Sequence, residues 1–205
     1  MRNWIAAAVV VVLVVAGVWY FKPHGEAGIT NYPSKGSDVI AFGDSLVVGY
    51  GATADHDFVT LLSKKIGEQI INLGVNGDTT DSAVERLKVF DRYHPKVVLV
   101  LLGGNDALQH VATADTFKNL HTIVTDLQKR GAIVLVLGVR GGLIDTIYPG
   151  EFQKLIDETH AAYVPDVLSG LFGNHSYMAD GIHPNDAGNA IIADKIYPVL
   201  KPLLK

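Results

Sequence analysis

Four residues of types suited to acyl transfer stand in short turns, two of them just beyond apolar runs and two before the last helix. Ser45 lies in GDSLVVGYGA (43–52), directly after DVIAF. Asn105 lies in GGND (103–106), directly after KVVLVLL, and Asp180 and His183 share DGIHPN (180–185). A further run, QIINLG, leads into Leu73-Gly74-Val75-Asn76-Gly77-Asp78. Attack on an acyl carbon needs a hydroxyl, a base, a group that orients the base, and donors for the oxyanion. Ser45 is placed to attack and His183 to take its proton. Asp180 is placed to hold the other ring nitrogen, and the Asp-x-x-His spacing lets both side chains come from one tight turn. The oxyanion donors expected are the backbone N–H groups of Ser45 and Gly74 and the side-chain amide of Asn105. A glycine at 74 presents no side chain to obstruct close approach.

Such groups converge only if their strands share an edge. Apolar runs recur at DVIAF, QIINLG, KVVLVLLGG and AIVLVLGV, with a short fifth near AAYVPDVL. KVVLVLLGG and AIVLVLGV are apolar on both alternating faces, as strands covered by helices on both sides must be. Helical patterns lie between them. FVTLLSKKIG is short. DTTDSAVERLKVF opens with Asp78 as N-cap and Asp81 in its first turn. TADTFKNLHTIVTDLQKRG carries a stripe of Phe117, Leu120, Ile123, Val124 and Leu127 and ends in Lys-Arg-Gly. A closing helix starts near Asp186. The alternation predicts a doubly wound parallel sheet with right-handed crossovers, whose strand ends collect the chemistry on one edge.

GDS, GGND and DGIHPN, in that order, resemble the blocks of the SGNH hydrolases, also called GDSL esterases and lipases. The resemblance covers Asp38 to the C-terminus. The tail DGIHPNDAGNAIIADKIYPVLKPLL resembles especially the bacterial thioesterase I, lysophospholipase and arylesterase branch. It implies an α/β, three-layer flavodoxin-like fold with sheet order 2-1-3-4-5. It implies Ser45, Gly74, Asn105 and His183 as the name-giving residues, with Asp180 completing the triad, and neither metal nor organic cofactor. That branch carries an Arg-x-Pro-Ala-Asn-Tyr-like segment after its fourth strand that helps line the acyl site. Here the stretch is VRGGLIDTIYPGEF, in which Arg140 and Tyr148 are the substrate-binding candidates.

Other polar residues have plainer readings. Asp44 holds the turn beside the nucleophile, Asn76 shapes a loop, Asp106 braces its turn and Asp186 caps the last helix. His94, His110, His121, His160 and His175 are scattered. Asp55-His56-Asp57 are adjacent, and three adjacent residues seldom converge on one ion. Gly49-Tyr50-Gly51-Ala52-Thr53-Ala54 mimics a dinucleotide fingerprint, but the second strand lacks the acid that would hold a ribose. Gly43-x-Ser45-x-Val47 departs from the α/β-hydrolase nucleophile elbow.

Composition bounds the partners. Trp4–Phe21 is 18 residues without a charge, roughly 27 Å as a helix and close to a hydrocarbon core. Residues 1–21 therefore read as an N-terminal transmembrane anchor with an extracytoplasmic domain behind it, or as a signal segment cleaved near Gly25-Glu26-Ala27. Residues 22–37, rich in Gly, Pro and Ser, read as a linker, and 38–205 as the catalytic domain. The chain has no cysteine, which excludes a disulfide framework and a lipid-modified thiol. From Asp38 onward 14 Lys and Arg face 20 Asp and Glu, a net −6. That balance argues against nucleic acid and against electrostatic docking on anionic lipid. The partners expected are a small acyl-ester or lipid substrate and, through the N-terminal segment, a membrane; no obligatory protein partner is evident. The function expected is a serine ester hydrolase acting on acyl esters or thioesters through an acyl-enzyme. Deacetylation of an O-acetylated sugar or cell-wall polymer, and a catalytically silent binding domain, are the alternatives.

Overall fold

The computed structural model describes residues 28–139, 148 and 150–205. Five parallel strands form one sheet in the order β2-β1-β3-β4-β5. They are β1 (Asp38–Gly43), β2 (Ile70–Gly74), β3 (Pro95–Leu101), β4 (Ile133–Leu137) and β5 (Ala162–Val164). The register pairs Gly43 with both Gly74 and Leu101, so three strands end level with one another. This is the topology the resemblance implies.

The strands alternate as their sequences require. Val97, Leu99 and Leu101 of β3 enter one core, while Val98 and Val100 enter the other. The first core is closed by α2 (Phe58–Ile66) and α7 (Asp186–Leu203), through Phe58, Leu62, Ile192, Ile196 and Leu200. The second is closed by α3 (Thr80–Glu85), α5 (Thr113–Lys129) and α6 (Glu151–Thr159). The stripe read along α5 is buried in full. Two one-turn helices, α1 (Ser45–Val48) and α4 (Gly104–Leu108), follow β1 and β3.

Three expectations are corrected. The N-cap of α3 is Thr79, whose side chain accepts from Ser82 N, and Asp78 lies outside it; α3 then gives way to a 3-10 turn over Leu87–Arg92. The N-cap of α7 is Asn185, which accepts from Gly188 N, while Asp186 accepts from Thr53 N and Oγ1. The linker expected over 22–37 is docked from Ile29 onward. Ile29 and Tyr32 pack on the first core. Thr30, Asn31 and Ser34 bond the carbonyls of Thr159, Gln128, Ala132 and Gly131, and Ser37 N bonds His94 O. These partners precede β3, β4 and β5, so the segment runs under the sheet edge opposite the Ser45 end. Side-chain hydrogen bonds, rather than an apolar period, hold it there. Residues 1–21 lie outside the described residues, among which no helix is long and apolar enough to cross a membrane.

Candidate active site

The nucleophile candidate is set by the end of β1. Asp44 caps α1, its Oδ1 accepting from Leu46 N at 2.9 Å, and Ser45 begins the turn. Asp44 is 2% exposed. Burial raises its carboxyl to about 7, with the charges of Asp78 and Asp106 adding to the rise and the Leu46 N–H opposing it. Its role is the turn-holding one expected.

His183 and Asp180 come from the loop before α7. Met178 and Pro184 form an antiparallel bridge, and Ala179 N donates to His183 O at 2.8 Å, which closes the loop. Asp180 Oδ1 accepts from Ile182 N at 2.8 Å and His183 N at 2.7 Å. Its Oδ2 lies 2.8 Å from His183 Nδ1. Those bonds, the imidazole first, hold the Asp180 carboxyl down at about 2, although its side chain is 45% exposed. An ionised acid on Nδ1 assigns the proton there and leaves Nε2 as an acceptor. His183 Nε2 stands 3.0 Å from Ser45 Oγ. The Tyr50 ring covers the imidazole at 4.5 Å between centroids.

The donors differ in part from expectation. Asn105 sits in the first turn of α4, and its Nδ2 donates to Asp78 O at 3.0 Å, with a long 3.5 Å contact to Asp44 Oδ2. Gly74 N–H is already committed to Asn72 Oδ1 at 2.9 Å. The glycine is needed there because a Cβ would sit 2.5 Å from Val48 N. Gly74 is thus a packing residue between β2 and α1. Gly77 adopts φ +75° with room where a Cβ would stand, its N–H has no hydrogen-bond acceptor among the described residues, and it adjoins Asp78, the carbonyl partner of Asn105. The missed signal was Asn72-x-Gly74, an Asx turn that consumes the amide.

Ser45 and His183 open on a cleft of about 310 Å³, whose apolar walls include Leu46, Leu108, Val139, Leu168, Phe172 and Ile182. The large apolar side chains most exposed among the described residues are Val48, Tyr50, Val75, Leu108 and Ile182. Val48 and Leu108 end α1 and α4, Tyr50 lies against His183, and Leu108 and Ile182 line the cleft. Tyr148 is elsewhere: 5% exposed, stacked edge-on against Phe117, with its hydroxyl donating to Gly103 O at 3.1 Å. It supports the turn below Asn105 and does not line the cleft, so its substrate-binding assignment is withdrawn. Arg140 lies outside the described residues. Asp106 braces as expected, accepting from Thr80 N and Oγ1. Asp57 caps α2 through Thr60 N. The five scattered histidines are all exposed. Arg86, which no motif of the sequence marks, donates to Asp78 Oδ2, Leu73 O and Gly43 O.

Residues 41–191 match the model of the GDSL-like lipase/acylhydrolase family. Esterase TesA of Pseudomonas aeruginosa is 30% identical over 178 residues, covering 81% of this chain and 89% of that protein. Thioesterase 1/protease 1/lysophospholipase L1 of Escherichia coli is 30% identical over 175 residues, covering 81% and 84%. Among solved structures, the psychrotrophic esterase EstA of Pseudoalteromonas sp., inhibited by monoethylphosphonate, superposes with a TM-score of 0.74 at 25% identity, covering 82% of this chain and 98% of that one.

Proposed function

The chain belongs to the GDSL-like lipase/acylhydrolase family and is a hydrolase of the esterase type, and from that premise we propose that it cleaves acyl esters and thioesters, lysophospholipids among them, through an acyl-enzyme on Ser45. The observation that carries this is the unbroken chain from Ser45 Oγ to His183 Nε2 and from His183 Nδ1 to Asp180 Oδ2, at 3.0 and 2.8 Å, beside an apolar cleft. Ser45 Oγ attacks the acyl carbon while His183 Nε2 takes its proton. The oxyanion receives Ser45 N–H, Gly77 N–H and Asn105 Nδ2–H. Collapse of the tetrahedral adduct expels the alcohol or thiol, which takes the proton back from His183. Water, deprotonated by the same nitrogen, then attacks the acyl carbon, and the adduct collapses to release the acid as His183 returns the proton to Ser45 Oγ.

The substrate class follows from the lining. Apolar walls suit an alkyl chain and offer a sugar few hydrogen bonds, which favours acyl substrates over O-acetylated glycans. We place the domain outside the cytoplasm, tethered or released by residues 1–21, on the apolar run of the sequence alone. The test uses a fluorophosphonate and a panel of acyl esters, acyl thioesters and acetylated sugars. One adduct per chain, absent in Ser45→Ala, together with acyl-chain preference is expected. Labelling that survives in Ser45→Ala sinks the nucleophile, and turnover of acetylated sugars alone sinks the substrate class.

A further inference from the structure

We propose that Arg86 is a positioning residue that holds the oxyanion donors in register. The inference rests on the oxyanion reading above. Its guanidinium, on a side chain 22% exposed, meets Asp78 Oδ2 with Nε at 2.8 Å and Nη2 at 2.6 Å. Nη1 donates to Leu73 O at 3.0 Å and Nη2 to Gly43 O at 3.1 Å. The guanidinium carbon lies over the Phe42 ring, 3.9 Å from its centroid, a cation–π contact that adds to its hold. Asp78, 2% exposed at the side chain, spends its other oxygen on Ser82 Oγ.

Each anchor point supports one donor or the loop that carries it. Gly43 is two residues before Ser45. Leu73 fixes the end of β2 from which the 75–78 loop departs. Asp78 directly follows Gly77, and its own carbonyl receives Asn105 Nδ2 at 3.0 Å. A shift of Asp78 therefore moves two donors at once. The sheet does not need this brace at the same points, because β1 and β2 are already paired from Val39–Ile70 to Gly43–Gly74. A lysine carries the charge but lacks the planar fork that reaches three acceptors. Oxyanion stabilisation depends on donors fixed in advance of the reaction, so their displacement acts on the transition state rather than on ground-state binding.

The experiment compares Arg86→Lys and Arg86→Met, each alone and combined with Asn105→Ala, in the full chain on a short soluble ester. It reads kcat, KM and the unfolding temperature. Both single variants should stay folded and lose about 10–100-fold in kcat, with KM within about 3-fold, because misplacement of donors is a transition-state defect. With Asn105→Ala already present, the further loss should shrink to about 3-fold or less, since residues that act as a unit are not additive. Wild-type kcat in either Arg86 variant overturns the proposal. So does a loss confined to KM, an equal fold-loss in both backgrounds, or failure of both variants to fold, which would make Arg86 a residue of the fold alone. Unchanged kcat in Asn105→Ala by itself would instead overturn the oxyanion reading, and is seen before any Arg86 variant is scored.

Discussion

Asp44 adjoins Ser45 in the chain and Asp180 is joined to it through His183, and their carboxyls are driven in opposite directions, one up to about 7 and the other down to about 2. The Asp44 side is buried. Three strands end there, and Asp44, Asp78 and Asp106 are closed off from water, with Arg86 tying Asp78 to two strand ends. The Asp180 side is a loop at the surface, held by its own backbone and by the imidazole. Rigidity and accessibility are thus divided. On the proposed mechanism, donors that must not move belong to the buried side, whereas the proton carrier belongs to the exposed one. The same carboxylic acid serves both ends because burial penalises its charge and hydrogen bonds reward it.

The largest expected effect comes from cutting the single bond that joins the sides. Ser45→Ala or His183→Ala should each lower kcat by about 10⁵–10⁶-fold, and the double variant should be no worse, as for groups that act as one unit. Multiplying losses would mean that the two sides do separate chemistry.

Asp180→Asn tests the exposed side alone. Its kcat should fall by about 10⁴-fold, as when a triad acid becomes an amide and the imidazole tautomer is no longer held. Thermal stability at neutral pH should change little, because a solvated carboxylate contributes little to folding. A large drop in unfolding temperature with modest loss of rate would erase the distinction between the sides.

Asn105→Ala tests the buried side. Loss of one oxyanion donor should lower kcat by about 10²–10³-fold with KM nearly unchanged. A change in KM alone would make Asn105 a substrate-binding residue.

The smallest effect on rate, and the clearest on stability, concerns Asp44. Its folded-state carboxyl holds a proton more tightly than the unfolded one, whose value is 3.8. The contribution is therefore favourable below about pH 3.8 and is lost as pH rises through about 7, by at most about 4 kcal/mol at about 1.4 kcal/mol per unit. Asp180 works in the opposite sense and lower down, its contribution being present above pH 3.8 and lost as pH falls towards 2. Denaturant unfolding at pH 5 and pH 8 should show the wild type losing more stability than Asp44→Asn over that interval. Equal losses would remove burial as the cause that separates the two acids.

Much of this was open to reading from the chain. The strands of α/β architecture announced themselves as runs apolar on both faces, since a parallel sheet covered on both sides leaves no polar face. Ser45, Asn105, Asp180 and His183 stood out as candidates because each sits in a short, composition-marked turn. The errors share a cause. Gly74 looked available for an oxyanion, but Asn72 two residues earlier takes its N–H. Asp78 looked like a helix cap, but an arginine eight residues on draws it into a buried pair. Tyr148 looked substrate-facing, but Phe117 and Gly103 claim it for the core. Each depends on which neighbour wins a given hydrogen bond, and spacing along the chain does not record that.

By itself, then, the sequence determined the layered parallel fold and the turns that carry the candidate residues, because hydrophobic period and turn composition are local properties. Only the tertiary structure decided which amides are already committed, which acid is pushed up and which down, and that Arg86 ties Asp78 to two strand ends. Those outcomes are set by burial and by contacts between residues such as Gly43 and Arg86, far apart in the chain and 3.1 Å apart in space.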